Sequence, residues 1–343
     1  MPDHPRLRFA AIGLDHRHIY DQVTSLLDIG AECAGFWSGD DAMPLKGFIE
    51  RYPQIPRVAD RRRLLDDPTI HLVTCAGIPS QRAALAVEAM RSGKDFMVDK
   101  PGVTTQAQLD EVRHVQQETG RIFSVNFTER FEVRAVTRAA ELVQAGAIGR
   151  VLQTIGLGPH RLNRHTRPPW FWDSKSYGGI IADVASHQID QFLFFTGSTD
   201  ARIVASRAGN VGHPGDPGFE DFGEVLLASE RGSAYIRVDW FTPDGLDTWG
   251  DGRLTILGTD GYIELRKYTD IAGRPGKDHL FLVDHKGMRH VDCSDAPLPY
   301  YTNLRRDIFE RTESAMTHAH CYKVCELALT AQANAERIAA PAT

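Results

Sequence analysis

The sequence predicts an α/β part followed by an α+β part: a doubly wound parallel sheet over residues 1–127, then a large, mostly antiparallel open sheet with C-terminal helices over 128–343. Three observations carry this. A chain of 343 residues exceeds one typical domain, and two is the natural expectation. Short apolar strands alternate with amphipathic helices as far as Phe127, the pattern of a parallel sheet covered on both faces. After Gly146-Ala-Ile-Gly149, strand-like segments instead succeed one another with turn signals between them.

In the first part, Leu7–Gly13 reads as an apolar strand ending in glycine. The helix after it carries Ile19, Val23, Leu26 and Leu27 on one face and stops at Gly30. Glu32–Trp37 is the second strand, and the next helix bears Leu45, Phe48 and Ile49. Ile70–Cys75 precedes a helix from Ser80 to Ser92. Phe96–Val98 precedes a helix opened by Thr105-x-x-Gln108, a capping-box spacing, and Ile122–Phe127 closes the series. In the second part the strands are Val151–Leu157, Arg202–Arg207, Glu224–Ala228, Ala234–Trp240, Arg253–Leu257, Tyr262–Leu265, Leu280–Val283 and Met288–Val291. Glu220-Asp221 and the hairpin-like Gly258-Thr-Asp-Gly261 punctuate them. Ile180, Ile181, Val184, Ile189, Phe192 and Leu193 suit a buried helix, and Tyr300 to Ile338 reads as a helical run.

Composition narrows the function class. The net charge is −6, and the only basic run is Arg61-Arg62-Arg63, so no phosphate-tracking nucleic-acid surface is expected. No apolar run approaches a membrane span, and the polar Met1-Pro-Asp-His-Pro5 opening leads straight to a strand, which reads as a cytoplasmic chain without a signal peptide. Five cysteines, two of them in apolar strands and two at helical spacing, read as reduced buried thiols. There is no H-E-x-x-H and no compact Cys/His cluster among 14 histidines, so no metal site is expected, although His16, His18, Asp183 and His187 were open to converging on one.

In parallel sheets covered by helices, ligands bind beyond the carboxyl ends of the strands. The first such turn, Gly13-Leu-Asp-His-Arg-His18, keeps one glycine of the dinucleotide fingerprint and puts Asp15 and His18 where the other two belong. Gly13, Arg17, His18 and the helix N-terminus remain available to a phosphate, and Asp15 reads as an N-cap. Ser38 stands where an acid would meet an adenosine ribose; it tolerates a 2′-phosphate, but no arginine follows directly, and Asp40 or Asp41 also lies within reach. NAD and NADP are therefore not distinguished. Asp99-Lys100-Pro101 ends a strand, which places Lys100 at the same sheet edge. Further along, Asp183 and His187 are four apart on a greasy helix, so a carboxylate and an imidazole project from one face; a satisfied core pair and a site are even readings of that fact alone. The segment from Gly158 to Asp173 is too polar and proline-rich for a core, and its His160, Arg161, His165, Trp170 and Trp172 suit the mixed apolar and hydroxyl surface of a sugar.

Asp99-Lys100-Pro101, Gly178-Gly179 and Asp183-x-x-x-His187, in this order and separation, make the chain resemble the Gfo/Idh/MocA oxidoreductases. The resemblance covers nearly the whole chain, including Glu326–Gln332 near its end. It departs in the eroded glycine turn, in aspartate for the motif's glutamate, and in Ile78-Pro-Ser-Gln-Arg82, where many members carry Asn and His beside the cofactor. It implies a Rossmann domain, NAD or NADP as cofactor, and hydride transfer between nicotinamide and a secondary hydroxyl or carbonyl of a sugar, cyclitol or related polyol. Lys100, Asp183 and His187 are then the catalytic candidates, with base and orienter interchangeable between Lys100 and His187. Pro79, Lys100 and Pro101 join Gly13, Asp15, Arg17, His18 and Ser38 at the cofactor. The resemblance also implies a homo-oligomer, dimer or tetramer, packed through the C-terminal sheet. A catalytically silent dinucleotide sensor, or an enzyme recycling bound cofactor for isomerisation or glycoside cleavage through a keto-sugar, are the alternatives.

Overall fold

The computed structural model describes residues 5–339. In chain order the elements of its first stretch are β1 (Arg8–Ile12), α1 (His18–Asp28), β2 (Glu32–Trp37), α2 (Leu45–Arg51), α3 (Arg62–Leu65), β3 (Leu72–Cys75), α4 (Pro79–Arg91), β4 (Asp95–Asp99), α5 (Gln106–Thr119) and β5 (Phe123–Asn126). Then come α6 (Thr128–Phe131), α7 (Arg134–Gln144), β6 (Val151–Pro159), α8 (Ser174–Tyr177), a π turn (Ile181–Ala185), α9 (Ser186–Thr196), β7 (Arg202–Asn210), β8 (Phe222–Ala228) and β9 (Ser233–Asp239). The last are β10 (Arg253–Gly258), β11 (Gly261–Arg266), β12 (His279–Asp284), β13 (Gly287–Val291), α10 (Tyr300–Glu310), α11 (His318–Ala333) and β14 (Glu336–Ala339).

The chain separates into two compact units. The first runs to Asn126 and takes in Lys175–Tyr177 and Pro299–Tyr322; the second holds Phe127–Ser174, Gly178–Leu298 and the chain from Lys323. The helix α10, which the sequence reading grouped with 128–343, thus packs with the first unit, where Tyr300 and Tyr301 hydroxyls meet Ser124 and the Asn126 amide at 2.8 Å.

The first unit is a parallel sheet in the order β2-β1-β3-β4-β5, the doubly wound arrangement expected from the alternation. Its strands are buried on both faces, so they read as continuous apolar runs; Phe9, Ile12, Val73, Phe96, Val98 and Val125 are all excluded from solvent. Thr105 caps α5 as its spacing predicts, with the Gln108 N–H donating to the Thr105 hydroxyl at 3.2 Å. The return contact falls one residue earlier, from the Thr104 N–H to the Gln108 amide oxygen at 2.8 Å.

The second unit is a nine-stranded sheet, β13-β12-β11-β10-β6-β9-β8-β7-β14. It is antiparallel except at β6–β9 and β14–β7. All eight strands expected in this half are present, and Thr259-Asp260 forms the two-residue turn between β10 and β11. The ninth corrects the expectation of helix to Ile338: α11 ends at Ala333, and β14 adds a strand beside β7. Glu336-Arg-Ile-Ala339 lies beyond an Asn-Ala break, and edge pairing satisfies a backbone that no helix continues. Along β10, β11 and β12 the side chains alternate. Leu254, Ile256, Ile263, Leu265, Leu280 and Leu282 face a core shared with Val136 and Ala139 of α7. The opposite face carries Ile155, Leu226, Leu257, Tyr262 and Met288 exposed, one on each of five strands.

Candidate active site

The turn after β1 is held by backbone alone. The Gly13 N–H donates to the Trp37 carbonyl and its own carbonyl accepts from the Ala76 N–H, both at 3.0 Å. Gly13 has φ +83°, and a Cβ there would stand 3.1 Å from the Gly77 Cα, so both conformation and crowding require glycine. The two other fingerprint positions have become something different. α1 starts at His18 with Arg17 as an N-cap that lends no side-chain bond, so Asp15 does not cap it, contrary to the sequence reading. Asp15 instead lies half-buried near Gly77, where burial raises its carboxyl against the opposing pull of Arg82. His18 turns to β4: its Nδ1 lies 2.8 Å from Asp99 Oδ1, and His16 Nδ1 lies 3.5 Å from Oδ2. The rings of His16 and His18 meet edge to face at 4.1 Å. Burial, then the neighbouring His18, holds His16 well below the ordinary histidine range, so it is a neutral imidazole whose Nδ1 accepts the His18 N–H at 3.3 Å.

Arg82 completes this cluster from α4. Its guanidinium is fully buried and donates to the carbonyls of Asp99, Lys100 and Pro101 at 2.8, 2.7 and 3.0 Å, to the Gly77 carbonyl at 2.8 Å, and to Asp99 Oδ2 at 3.1 Å. Burial would raise the Asp99 carboxyl, but His18 and Arg82 outweigh it and hold it well below the usual range. Lys100 is 5% exposed, with its backbone anchored on both sides by Arg82 and a cis peptide to Pro101. Pro79 is the first residue of α4, where its missing N–H costs nothing. Ser38 is buried just past β2, and Arg17 is exposed at the start of α1. Gly13, Asp15, His18, Pro79, Lys100 and Pro101 therefore gather along the carboxyl ends of β1, β3 and β4, with Ser38 beyond β2. Among the described residues, His16, His18 and Asp99 are also the group whose ligand atoms all lie within 4.8 Å, a convergence the spacing did not lead us to expect. Arg82 on the same carboxylate opposes a second cation there.

In the second unit, Gly179 has φ +86°, and a Cβ on it would run into the Gln332 side-chain amide. That amide accepts the Ile181 N–H at 2.9 Å and donates to Glu220, which itself accepts the Ile180 N–H at 2.9 Å. The next turn is wide: Ile181–Ala185 is π-helical before α9 begins. Asp183 lies within this π segment and His187 in the first turn of α9, so the stretch read from sequence as one helix changes its winding between them. Asp183 is half-buried, and His187 is 2% exposed with its ring edge toward Phe127. The greasy flanks expected around the pair are buried throughout.

The sequence reading missed the charges beneath His187. Glu129 of α6 and Lys267 after β11 form a fully buried ion pair. Gln188 donates to Glu129 at 2.9 Å, and Lys267 donates to the Gln191 side-chain amide oxygen, Oε1, at 2.9 Å. Burial works to raise Glu129, but Lys267 and then His187 outweigh it and bring the carboxyl down to about 2. Asp190, also fully buried, takes both arms of Arg130 at 2.6 and 2.7 Å. No local pattern announces these partners, which are 59 to 138 residues apart.

The five rim candidates divide. His160 packs against Trp240 and Trp249 at 5.1 and 4.6 Å, and Arg161 donates to the carbonyls of Pro243 and Leu246. Trp172 lies under the Arg164 guanidinium at 4.2 Å, itself forked onto Asp216, and Trp170 is half-buried beside Phe171. His165 stands exposed on a 3₁₀ turn, apart from both groups. The expectation that this segment holds no core is corrected by Phe171, which is 3% exposed between Phe219 and Trp240.

A parallel sheet of this order, with a glycine-only first turn and a buried lysine at a strand end, defines a Rossmann nucleotide-binding domain joined to a mixed-sheet domain. Residues 8–127 match the oxidoreductase family with an NAD-binding Rossmann fold, and residues 136–264 match the GFO/IDH/MocA C-terminal domain. The chain belongs to the Gfo/Idh/MocA family and is an oxidoreductase with an NAD-binding domain. It is 26% identical over 295 residues to scyllo-inositol 2-dehydrogenase (NAD(+)) of Bacillus subtilis, covering 82% of this chain and 78% of that protein. It is 28% identical to levoglucosan dehydrogenase of Pseudarthrobacter phenanthrenivorans over 48% of this chain, and the match spans about half (46%) of that relative's length. A putative oxidoreductase of Erwinia carotovora atroseptica has the same fold with TM-score 0.94 and 47% identity, over 97% of this chain and 100% of that one. No helix among the described residues is long and apolar enough to cross a membrane.

Proposed function

We propose that the protein is an NAD(P)-dependent dehydrogenase or reductase acting on a secondary hydroxyl or carbonyl of a sugar, cyclitol or related polyol. The observation that carries this is Lys100: a buried ammonium at the end of β4, its backbone pinned on both sides by Arg82, in a chain of this family. The substrate class is supported by the relatives named for inositol and levoglucosan, and by the aromatic and arginine-rich segment around His160, Arg161, Trp170 and Trp172.

The dinucleotide fits the first unit. Gly13 leaves no room for a side chain, and Arg17, exposed at the start of α1 beside His18, offers a positive charge to a diphosphate. Ser38 lies toward the adenosine, while Pro79, Lys100 and Pro101 serve the nicotinamide side. When bound, the cofactor supplies the hydride acceptor or donor. The chain's own residues handle the proton. In oxidation, Lys100 donates a hydrogen bond to the reacting hydroxyl oxygen and stabilises the negative charge that grows on it. The hydroxyl proton passes to the His187 imidazole as the C–H bond is lost, and returns from it in reduction. Asp183 orients the substrate beside His187, and Glu129 provides a fixed negative charge that favours the imidazolium His187 becomes. Division of the chain into a dinucleotide-binding part over 1–127 and a substrate-binding part over 128–343 goes with this reading. So does a homo-oligomer packed through the exposed sheet face of Ile155, Leu226, Leu257 and Tyr262.

A screen of inositols, levoglucosan and pentoses against both coenzymes, read by absorbance of the reduced nicotinamide, identifies the substrate. Lys100→Ala then lowers kcat by at least about 100-fold, with coenzyme dissociation constants nearly unchanged. Wild-type turnover in that variant rules the assignment out.

A further inference from the structure

Resting on the reading that the first unit binds a nicotinamide dinucleotide, we propose that the pocket past β2 is built for the 2′-phosphate of NADP(H), with Arg57 as the residue that selects it. In this fold the end of the second strand meets the adenosine ribose. An acid there accepts the two hydroxyls of NAD, whereas a nearby arginine takes the 2′-phosphate of NADP. Here the position after Trp37 is Ser38, short, neutral and buried, its hydroxyl donating to the Gly39 carbonyl at 3.1 Å. Beyond it opens a cavity of about 540 Å³ between residues 37–40 and 57–59.

Arg57 arrives in that cavity from outside the β2 turn. Its backbone pairs with Phe36 as an isolated parallel bridge, with the Phe36 N–H on the Pro56 carbonyl and the Val58 N–H on the Phe36 carbonyl, both at 3.0 Å. The guanidinium Nη2 donates to the Ser38 carbonyl at 2.9 Å and to Asp40 Oδ1 at 2.6 Å. Those bonds aim it at the ribose end of the pocket and use one of its three nitrogens. Arg61 lies over the Trp37 ring at 5.5 Å with its guanidinium paired to Glu88 at 2.8 Å, which leaves Arg57 as the arginine that turns to the pocket. Of the acids at hand, Asp41 turns its Oδ1 toward Gly39, and Asp40 has its side chain 94% exposed and committed to Arg57. An ion pair so exposed contributes little and is easily exchanged. A phosphate monoester, carrying about −1.5 to −2 charges at neutral pH, displaces it and gains a planar fork of donors.

The test is equilibrium binding to the purified full chain, without substrate, of NADP⁺, NAD⁺, 2′,5′-ADP and 5′-AMP by titration calorimetry. NADP⁺ binds at least about tenfold more tightly than NAD⁺, and 2′,5′-ADP more tightly than 5′-AMP. Arg57→Ala, checked for folding by circular dichroism, removes that preference by weakening NADP⁺ and leaving NAD⁺ within about twofold; Arg57→Lys restores part of it. Asp40→Ala leaves NADP⁺ binding intact or tighter. Equal or tighter NAD⁺ binding to the wild-type chain, or an Arg57→Ala variant that weakens both coenzymes alike, overturns the assignment while leaving the dinucleotide reading in place. Failure of all four nucleotides to bind overturns both.

Discussion

Lys267→Met tests whether the charges behind His187 are a matched buried pair. The Lys267 ammonium has no solvent exposure and touches Glu129 Oε2 and the Gln191 side-chain oxygen Oε1. A fall of the Glu129 carboxyl from its ordinary 4.5 to about 2, at about 1.4 kcal/mol per pH unit, corresponds to roughly 3 kcal/mol at neutral pH. That agrees with the 3–5 kcal/mol typical of breaking a buried pair by removing one partner. The sign with pH follows. In the wild type the folded carboxyl titrates below the unfolded one, so its contribution is present above about pH 4.5 and is lost as pH falls toward 2. Without Lys267, burial dominates and lifts the folded carboxyl above the unfolded one. The cost of the substitution is then greatest near pH 7 and shrinks as the solution is acidified toward pH 4. Four of the five tryptophans, 170, 172, 240 and 249, lie in the second unit, so fluorescence during urea unfolding reports chiefly on the unit that holds the pair. The double variant Glu129→Gln, Lys267→Met keeps an acceptor for Gln188 and recovers to within about 1 kcal/mol of the wild type. A cost under about 1 kcal/mol for Lys267→Met at pH 7, or a cost that grows on acidification, refutes the reasoning.

Two further perturbations address the other unit and the open sheet. Arg82→Met strips donors from three successive carbonyls and from Asp99; it lowers stability by about 3–5 kcal/mol and kcat together. Thermal unfolding beside kinetics separates it from Lys100→Ala, which moves kcat alone. Leu257→Lys with Tyr262→Lys places like charges on opposite residues of the exposed sheet face, and sedimentation velocity shows a smaller species than the wild type.

Periodicity carried the fold because both sheets bury long, regular apolar patterns: each predicted strand is present, and errors concentrate where tertiary pairing overrides local preference, as at β14. The candidate site was legible where chemistry is local in sequence. Asp99-Lys100-Pro101 sits at a strand end and Gly179 at a backbone turn only glycine fits. It was not legible where partners come from afar. Nothing around Arg82, Glu129 or Lys267 distinguishes it from a surface charge, and burial alone makes each consequential. The helix that carries Asp183 and His187 is a different case: its apolar pattern was legible, but its π segment is encoded by no periodicity.

The two oddest departures from the family pattern explain each other. A histidine occupies the third glycine position, and an aspartate replaces the glutamate before Lys100; in the structure the first binds the second at 2.8 Å. Asp99 is 1% exposed, and a buried carboxylate needs partners. Arg82 spends most of its donors on backbone carbonyls, so His18 provides the second strong bond. Restoring the fingerprint by His18→Gly therefore damages the turn. It costs about 1.5–3 kcal/mol for a lost bond to a charged group, with up to about 1 more from glycine at the start of α1. In an Asp99→Asn background the same change costs only the glycine part, so a double-mutant cycle from chemical unfolding isolates the bond. Equal costs in the two backgrounds, or a gain on restoring glycine, would show that His18 and Asp99 are neighbours without being partners.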